Sequence, residues 1–216
     1  MAKEDTPEEN ERLKHFMELA TTIIIALATI SSAWCAYQAT RWSGIQAFQL
    51  STVNTLERKS SENTIRAGQM RGMDSMLFIE YLKGKQQHND SLADFFYNRF
   101  RPELKRATDA WLATKPFQNS QAPLHPFVTE EYRLELEQEA KRLREESDQK
   151  FEEARQANQN SDNYIMLTVL FASAMFFGGV STQFKNRNFR IAMLVIGALI
   201  LCAALGVLFT YPMAIE

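Results

Sequence analysis

Residues 164–215 read YIMLTVLFASAMFFGGVST, then QFKNRNFR, then IAMLVIGALILCAALGVLFTYPMAI. Two uncharged apolar stretches flank a short basic turn. A membrane-crossing helix needs about 20 predominantly apolar residues, so Tyr164–Thr182 and Ile191–Ile215 predict two spans. Lys185, Arg187 and Arg190 stand in the turn with no acid beside them, and basic residues in short loops favour the cytoplasmic side. The tail beyond Tyr211 has no basic residue and ends on Glu216. The C-terminus is therefore expected outside.

A third apolar stretch lies near the other end. Leu19–Tyr37 reads LATTIIIALATISSAWCAY, uncharged but diluted by Thr21, Thr22, Thr29, Ser31 and Ser32. It could be a secretory signal cut after Ala33. Its leader, however, sets Glu4, Asp5, Glu8, Glu9, Glu11 and Glu18 against Lys3, Arg12 and Lys14, unlike the basic start of a signal peptide. An uncleaved anchor is the expectation. Three crossings place the N-terminus inside and the long middle outside, since long domains cross whatever their charge. Trp34, Tyr37 and Trp42, with Arg41, look like an outer interfacial belt, and Lys185, Arg187 and Arg190 an inner one.

The expected layout is an acidic cytoplasmic tail over 1–18, a first span over 19–40 and an extracytoplasmic helical region over 41–163. A second span (164–184), a cytoplasmic basic turn (185–190), a third span (191–212) and a short outer C-terminus (213–216) follow. The fold class is an all-α membrane protein with a long-helix bundle outside the bilayer. Composition agrees: 216 residues with 45% hydrophobic and 23% charged residues average out to a soluble profile only because the apolar ones are clustered. Eight glycines and six prolines exclude collagen-like chains. Two cysteines, both in apolar stretches, give neither a disulfide framework nor a thiolate zinc site. A formal charge of −2 gives no electrostatic case for nucleic acid.

Within 41–163 the pattern is helical. From Gly44 to Leu82 there is no proline, and Ile45, Val53, Leu56, Ile65, Met70, Met73, Leu77 and Leu82 recur loosely at helical spacing. The first span should thus continue outward as one long helix, with a kink at Ser43-Gly44 as one option. A break at 84–89 precedes a second helix capped by Asn89, Asp90 or Ser91. Its apolar face is Leu92, Phe96, Phe100, Leu104, Ala107 and Trp111. Pro102 within it either kinks the helix or opens a new one. Residues 115–127, with Pro116, Pro123 and Pro126, read as a loop.

Thr129 is the expected cap of a last long helix running into the second span, with Glu130 and Glu131 in its first turn. Glu137–Lys141 and Glu146–Lys150 are favourable i,i+4 pairs. A thin seam runs through Tyr132, Leu136, Ala140, Leu143, Ser147, Phe151, Ala154, Asn158 and Ile165. Because Tyr132, Leu143, Ala154 and Ile165 repeat every eleven, it favours a nearly straight helix over a left-handed coiled coil. Residues 41–115 hold 12 basic against 8 acidic side chains, and 130–162 hold 6 against 11. That sorting suits antiparallel packing of the arms, or two separately solvated faces.

No catalytic constellation is visible. His15, His88 and His125 are far apart, and none has a second ligand at helical spacing. No G-x-S-x-G, phosphate-binding glycine loop or C-x-x-C occurs. No enzyme activity, cofactor or metal is expected. The absence of charged residues within the spans argues against a proton-coupled transporter.

The spans carry small residues every four positions: Ala28, Ser32 and Ala36 (then Thr40) in the first, Ala174, Gly178 and Thr182 in the second, Ala198, Cys202 and Gly206 in the third. Such strips let membrane helices approach closely, within one bundle or between subunits.

The segment Trp34-Cys-Ala-Tyr-Gln-Ala-Thr-Arg-Trp-Ser-Gly44 closes the first span, and Ala157-Asn-Gln-Asn-Ser-Asp-Asn-Tyr164 opens the second. In this arrangement the chain resembles uncharacterised bacterial inner-membrane proteins, of the domain-of-unknown-function kind, that share a W-x-x-Y-Q-A segment after the first anchor. The resemblance implies a bacterial inner membrane and carries no activity. The functional expectation is a scaffold or accessory subunit among membrane lipids, working as a homo-oligomer or within a larger complex. One alternative is a homo-oligomeric channel with Gln38, Gln46 and Gln49 near its mouth. Another is an extracytoplasmic sensor acting through a cytoplasmic partner.

Overall fold

A computed structural model describes residues 7–214, with side chains from residue 11 onward. The readings made above on Lys3, Glu4, Asp5 and Glu216 fall outside these residues, and those on the Glu8 and Glu9 side chains outside the described side chains. Among the described residues the chain is helical, without a strand. In order come α1 (Pro7–Gln86), α2 (Asp90–Tyr97), α3 (Pro102–Ala113), a 3₁₀ turn (Pro126–Val128), α4 (Glu135–Ser181) and α5 (Arg187–Leu208). Stretches of α1, α4 and α5 are long and apolar enough to cross a membrane.

The chain divides into two compact units. The first comprises the residues up to Leu50 and from Phe151 onward; the second is Ser51–Lys150. Both α1 and α4 contribute to each. Every seventh residue of α1 from Thr21 to Gly84 is buried or half-buried: Thr21, Ala28, Cys35, Trp42, Gln49, Leu56, Asn63, Met70, Leu77, Gly84. In α4 the same holds for Leu136, Leu143, Lys150, Ala157, Tyr164, Phe171 and Gly178. The eleven-residue seam is therefore replaced by a seven-residue one, the period of left-handed winding. Ile165, Phe151 and Asn158 are exposed, Ala154 is buried as the seam expected, and Ala157 and Ser161 are buried beside it.

In the first unit α1 and α4 run antiparallel. Thr21 faces Ser181 (Oγ1–Oγ 3.4 Å), and Ser161 Oγ donates to the Ala39 carbonyl at 3.0 Å. Gln49 Nε2 donates to Glu153 at 2.8 Å. α5 closes the bundle through Leu194, Gly197, Leu201 and Ala204. The core is made of Ile24, Ala28, Cys35, Tyr164, Leu167, Phe171 and Ala174, small residues alternating with large.

In the second unit the same two helices also run antiparallel: Ser60 Oγ donates to the Ala140 carbonyl at 2.8 Å, and Arg71 pairs with Glu137 at 2.8 Å. Glu137 thus meets the outgoing arm rather than Lys141. Glu146 likewise bonds Arg142, which also forks onto Glu139. Helices α2 and α3 cover this pair. Asn89 caps α2 by accepting from Leu92 N–H (3.1 Å), and Pro102 opens α3 at its first position, where its missing N–H costs nothing. The close passage of α1 under α2 needs Gly84: a Cβ there would stand 2.8 Å from Ala93 N. The core is aromatic, with Phe78 edge-on to Trp111 (5.4 Å) and Phe127 edge-on to Tyr132 (4.9 Å).

Four helix boundaries differ from the sequence expectation. Thr129 closes the 3₁₀ turn and its hydroxyl donates to Pro126; α4 begins at Glu135 instead. The cause is Tyr132 and Leu134, both buried, which draw the backbone into the aromatic core before the helix starts. Helix α4 ends at Ser181, three residues short of the expected span end. Helix α5 begins at Arg187, with Asn186 accepting from Asn188 N–H (3.0 Å), and ends at Leu208. Pro212 lacks an N–H and disfavours helical backbone at Tyr211, so residues 209–214 turn back.

Candidate functional site

The predicted site residues fall into two sets. Among the small-residue strips, Ala28, Ala174 and Gly178 are buried, Ser32 and Ala198 half-buried, and Ala36, Thr40, Thr182, Cys202 and Gly206 exposed. The packed row of α5 is the neighbouring one, with Gly197 3.3 Å (from an added Cβ) off the Ala174 carbonyl. Of the interface residues, Trp34 and Tyr37 are exposed with rings 5.7 Å apart. Arg41, Trp42 and Arg190 are half-buried, and Lys185 and Arg187 exposed. Arg190 lies 3.8 Å from Glu18.

The end of α1 that carries Trp34–Trp42 is tied to the C-terminal segment. Trp42 Nε1 and the Tyr164 hydroxyl both donate to the Pro212 carbonyl at 3.2 Å. Gln38, only 2% exposed, accepts the Ala214 N–H at 3.0 Å. A polar side chain in a membrane-type bundle is costly unless bonded, and here it secures the returning tail. Gln46 is half-buried and Gln49 is bonded to Glu153.

The second unit has one buried carboxylate, among the described residues. Asp74, 1% exposed, receives a forked pair of bonds from Arg101 (Nε at 3.1 Å to Oδ1, Nη2 to Oδ2) and a hydrogen bond from the Tyr132 hydroxyl at 2.8 Å. Burial, then the bond to Asp74, push the Tyr132 pKa well above its ordinary value. The bond to Asp74 raises Arg101 further. Tyr97 is pushed up to about 12, by burial first and then by its bond to Asp109. The Tyr97 and Tyr132 phenols and the Arg101 guanidinium therefore keep their protons through neutrality.

The histidines do not converge. His15 and His88 are exposed, the latter in a left-handed turn (φ 55°). His125 is half-buried, 5.6 Å from the Phe127 ring, with Nδ1 unbonded. Among the described residues no cluster of three His, Cys, Asp or Glu side chains could hold a metal. One surface groove, of about 540 Å³, is lined by Gln46, Leu50, Phe151, Arg155 and Asn158, an open furrow without a nucleophile.

Gln38 and Asp74 were not singled out as clamps from the sequence. Each leaves a trace there: Gln38 shares a seven-residue row with Met17, Ile24 and Ile45, and Asp74, the one charged residue of its row from Ala39 to Tyr81, stands between Ala67 and Tyr81. No known protein family, curated protein or solved structure matches this chain.

Proposed function

We propose that the protein is a non-enzymatic scaffold or accessory subunit of a bacterial inner membrane, acting through helix-mediated assembly. One observation carries this reading. The second unit keeps its buried charge paired, yet leaves large apolar side chains in the open: Leu124 is 90% exposed and Phe117 76%, with Ile65, Met73, Met76 and Ile79 also uncovered. Exposed apolar surface on a water-facing unit marks contact with another molecule.

In this reading α1, α4 and α5 anchor the chain, the basic turn 185–190 faces the cytoplasm, and Ser51–Lys150 stands outside as a coiled-coil-like hairpin with a helical cap. A pore is less well supported, because Gln38 and Gln49 spend their polar atoms inside one chain. The test is the assembly state of the full chain extracted into native-lipid nanodiscs, with whatever protein accompanies it. A defined oligomer or a stoichiometric partner is expected. A bare monomer would overturn the proposal.

A further inference from the structure

The first unit holds a recess of about 410 Å³ at the end of the bundle away from the basic turn. Ile30 and Trp34 of α1 line it on one side, Leu205 and Leu208 of α5 on the other, with small Ser31 between. The returning segment supplies a third wall through Phe209, Tyr211 and Met213. That wall is fastened. The Pro212 carbonyl accepts from Trp42 and Tyr164, the Ala214 N–H donates to Gln38, and the Tyr211 ring stands edge-on to Tyr164 at 5.8 Å. The recess is therefore preformed, apolar in its walls and provided with a few polar atoms, as small-ligand sites are. Two of those atoms have no hydrogen-bond partner among the described residues: the Trp34 Nε1–H and the Tyr211 hydroxyl. Trp42 and Tyr164, their neighbours, spend theirs on Pro212.

We propose that this recess holds one phospholipid, with an acyl chain between α1 and α5, its ester carbonyl at Trp34 and Tyr211, and its phosphate toward Arg41. The inference goes beyond the scaffold reading and rests only on α1, α4 and α5 lying in a bilayer. Three features select this occupant. An indole N–H only donates and an ester carbonyl only accepts, so the unspent donors match the one polar group that a lipid chain carries at its head. Trp34 and Arg41 are seven residues apart, about 20° around α1 and about 10 Å along it. A guanidinium thus stands on the same face as Trp34, farther toward the water, where a phosphate would follow the ester. The size agrees as well. At about 30 Å³ for a group the size of water, the recess has room for on the order of 14 methylenes, one acyl chain rather than two. The second chain would lie in the surrounding bilayer.

The experiment takes the full chain in vesicles of phosphatidylethanolamine and phosphatidylglycerol, extracts it into mild detergent and counts bound phospholipid per chain by native mass spectrometry. One phospholipid should survive washing that strips the rest. Ser31→Phe fills the recess and should lower that occupancy tenfold or more. Trp34→Phe keeps a ring and loses the donor, and should lower it severalfold. Val169→Phe, on the exposed face of α4, should change nothing. A diether phospholipid has the same chains and phosphate without the ester carbonyl, and should be retained less well than its diester counterpart. Hydrogen exchange at the Ala214 amide shows that each variant keeps the returning segment in place. If no lipid is retained, or Ser31→Phe and Val169→Phe lose it alike, the contact is ordinary bilayer solvation and the proposal falls. Equal retention of diether and diester lipid overturns it too, as does an isoprenoid quinone or a second copy of the chain found in the recess instead. A monomer that keeps its lipid removes the scaffold reading and leaves this inference standing.

Discussion

The two units are built on the same pair of helices with the same seven-residue repeat, and they fill it with different chemistry. In the first, the core is Ala, Cys, Met, Ile and Leu around two rings, Tyr164 and Phe171, and Ser161 bonds a carbonyl of the facing helix as Ser60 does in the second. Its outer faces, with Leu19, Ile23, Leu27, Ile30, Val169 and Leu199, stay apolar and exposed. In the second, aromatic rings and a buried ion pair fill the seam, and charges cover most of the outside. Water rewards burying a large apolar ring. Lipid does not, so helices there gain by close contact and bonded polar groups. In the arrangement proposed above, the same repeat serves two solvents.

The sharpest way to break this comparison is to remove the carboxylate that, among the described residues, the second unit alone buries. Asp74→Ala leaves Arg101 and the Tyr132 hydroxyl facing an acceptor that is gone. Removing one member of a buried pair costs about 3–5 kcal/mol. Arg101 is about a third exposed and recovers some hydration, so about 3 kcal/mol is expected. Hydrogen exchange on the full chain in nanodiscs should show amides of 51–150 losing protection, with those of α5 unchanged. Equal loss in both would mean the units are one cooperative body.

A second substitution pair tests the solvent argument directly. Leu104 and Leu167 are both 0–1% exposed, one in each unit. Leu104→Ala should cost about 2–5 kcal/mol, as in water-soluble cores. Leu167→Ala should cost less, because the dissociated helices would still keep that side chain in hydrocarbon and only packing is lost. Denaturant unfolding of the 51–150 unit, and helix separation in mixed micelles, measure the two. Similar losses would show that Leu167 is not in a lipid setting.

Much of this was legible because the signals are long. Three apolar stretches fix three helices without reference to tertiary contacts, and Asn89 and Pro102 announce α2 and α3 by local chemistry alone. The misplaced start of α4 has the opposite origin. Thr129-Glu-Glu is a sound cap in isolation, and only the aromatic pocket around Phe127 explains why Tyr132 overrides it. The eleven-residue spacing holds for Tyr132, Leu143 and Ala154 and fails at Ile165, because beyond Ala154 the buried row runs through the small residues Ala157 and Ser161, whose size gives little signal in a sequence. In the outgoing arm, Ile65 and Met73 fitted the helical period but lie off the seam. Their exposure is invisible in a sequence, because periodicity tells which residues share a face and not what covers it.

The smallest effect concerns pH, and it should be confined to the second unit. Burial raises Tyr81 and Tyr132 above the ordinary phenol value. Both groups are neutral, folded or unfolded, below about pH 10, so they contribute no pH dependence there. Above it the unfolded chain releases phenolic protons that the folded unit retains. The unfolded state is thereby favoured, by at most about 1.4 kcal/mol per group for each pH unit. Stability of the 51–150 unit should therefore be level through neutrality and fall on the alkaline side of pH 10, and Tyr132→Phe should flatten that fall. Ultraviolet titration near 295 nm, read beside hydrogen exchange, follows ionisation and unfolding together. If Tyr132→Phe leaves the alkaline slope unchanged, the phenol that anchors Asp74 is not among the groups that unfolding releases.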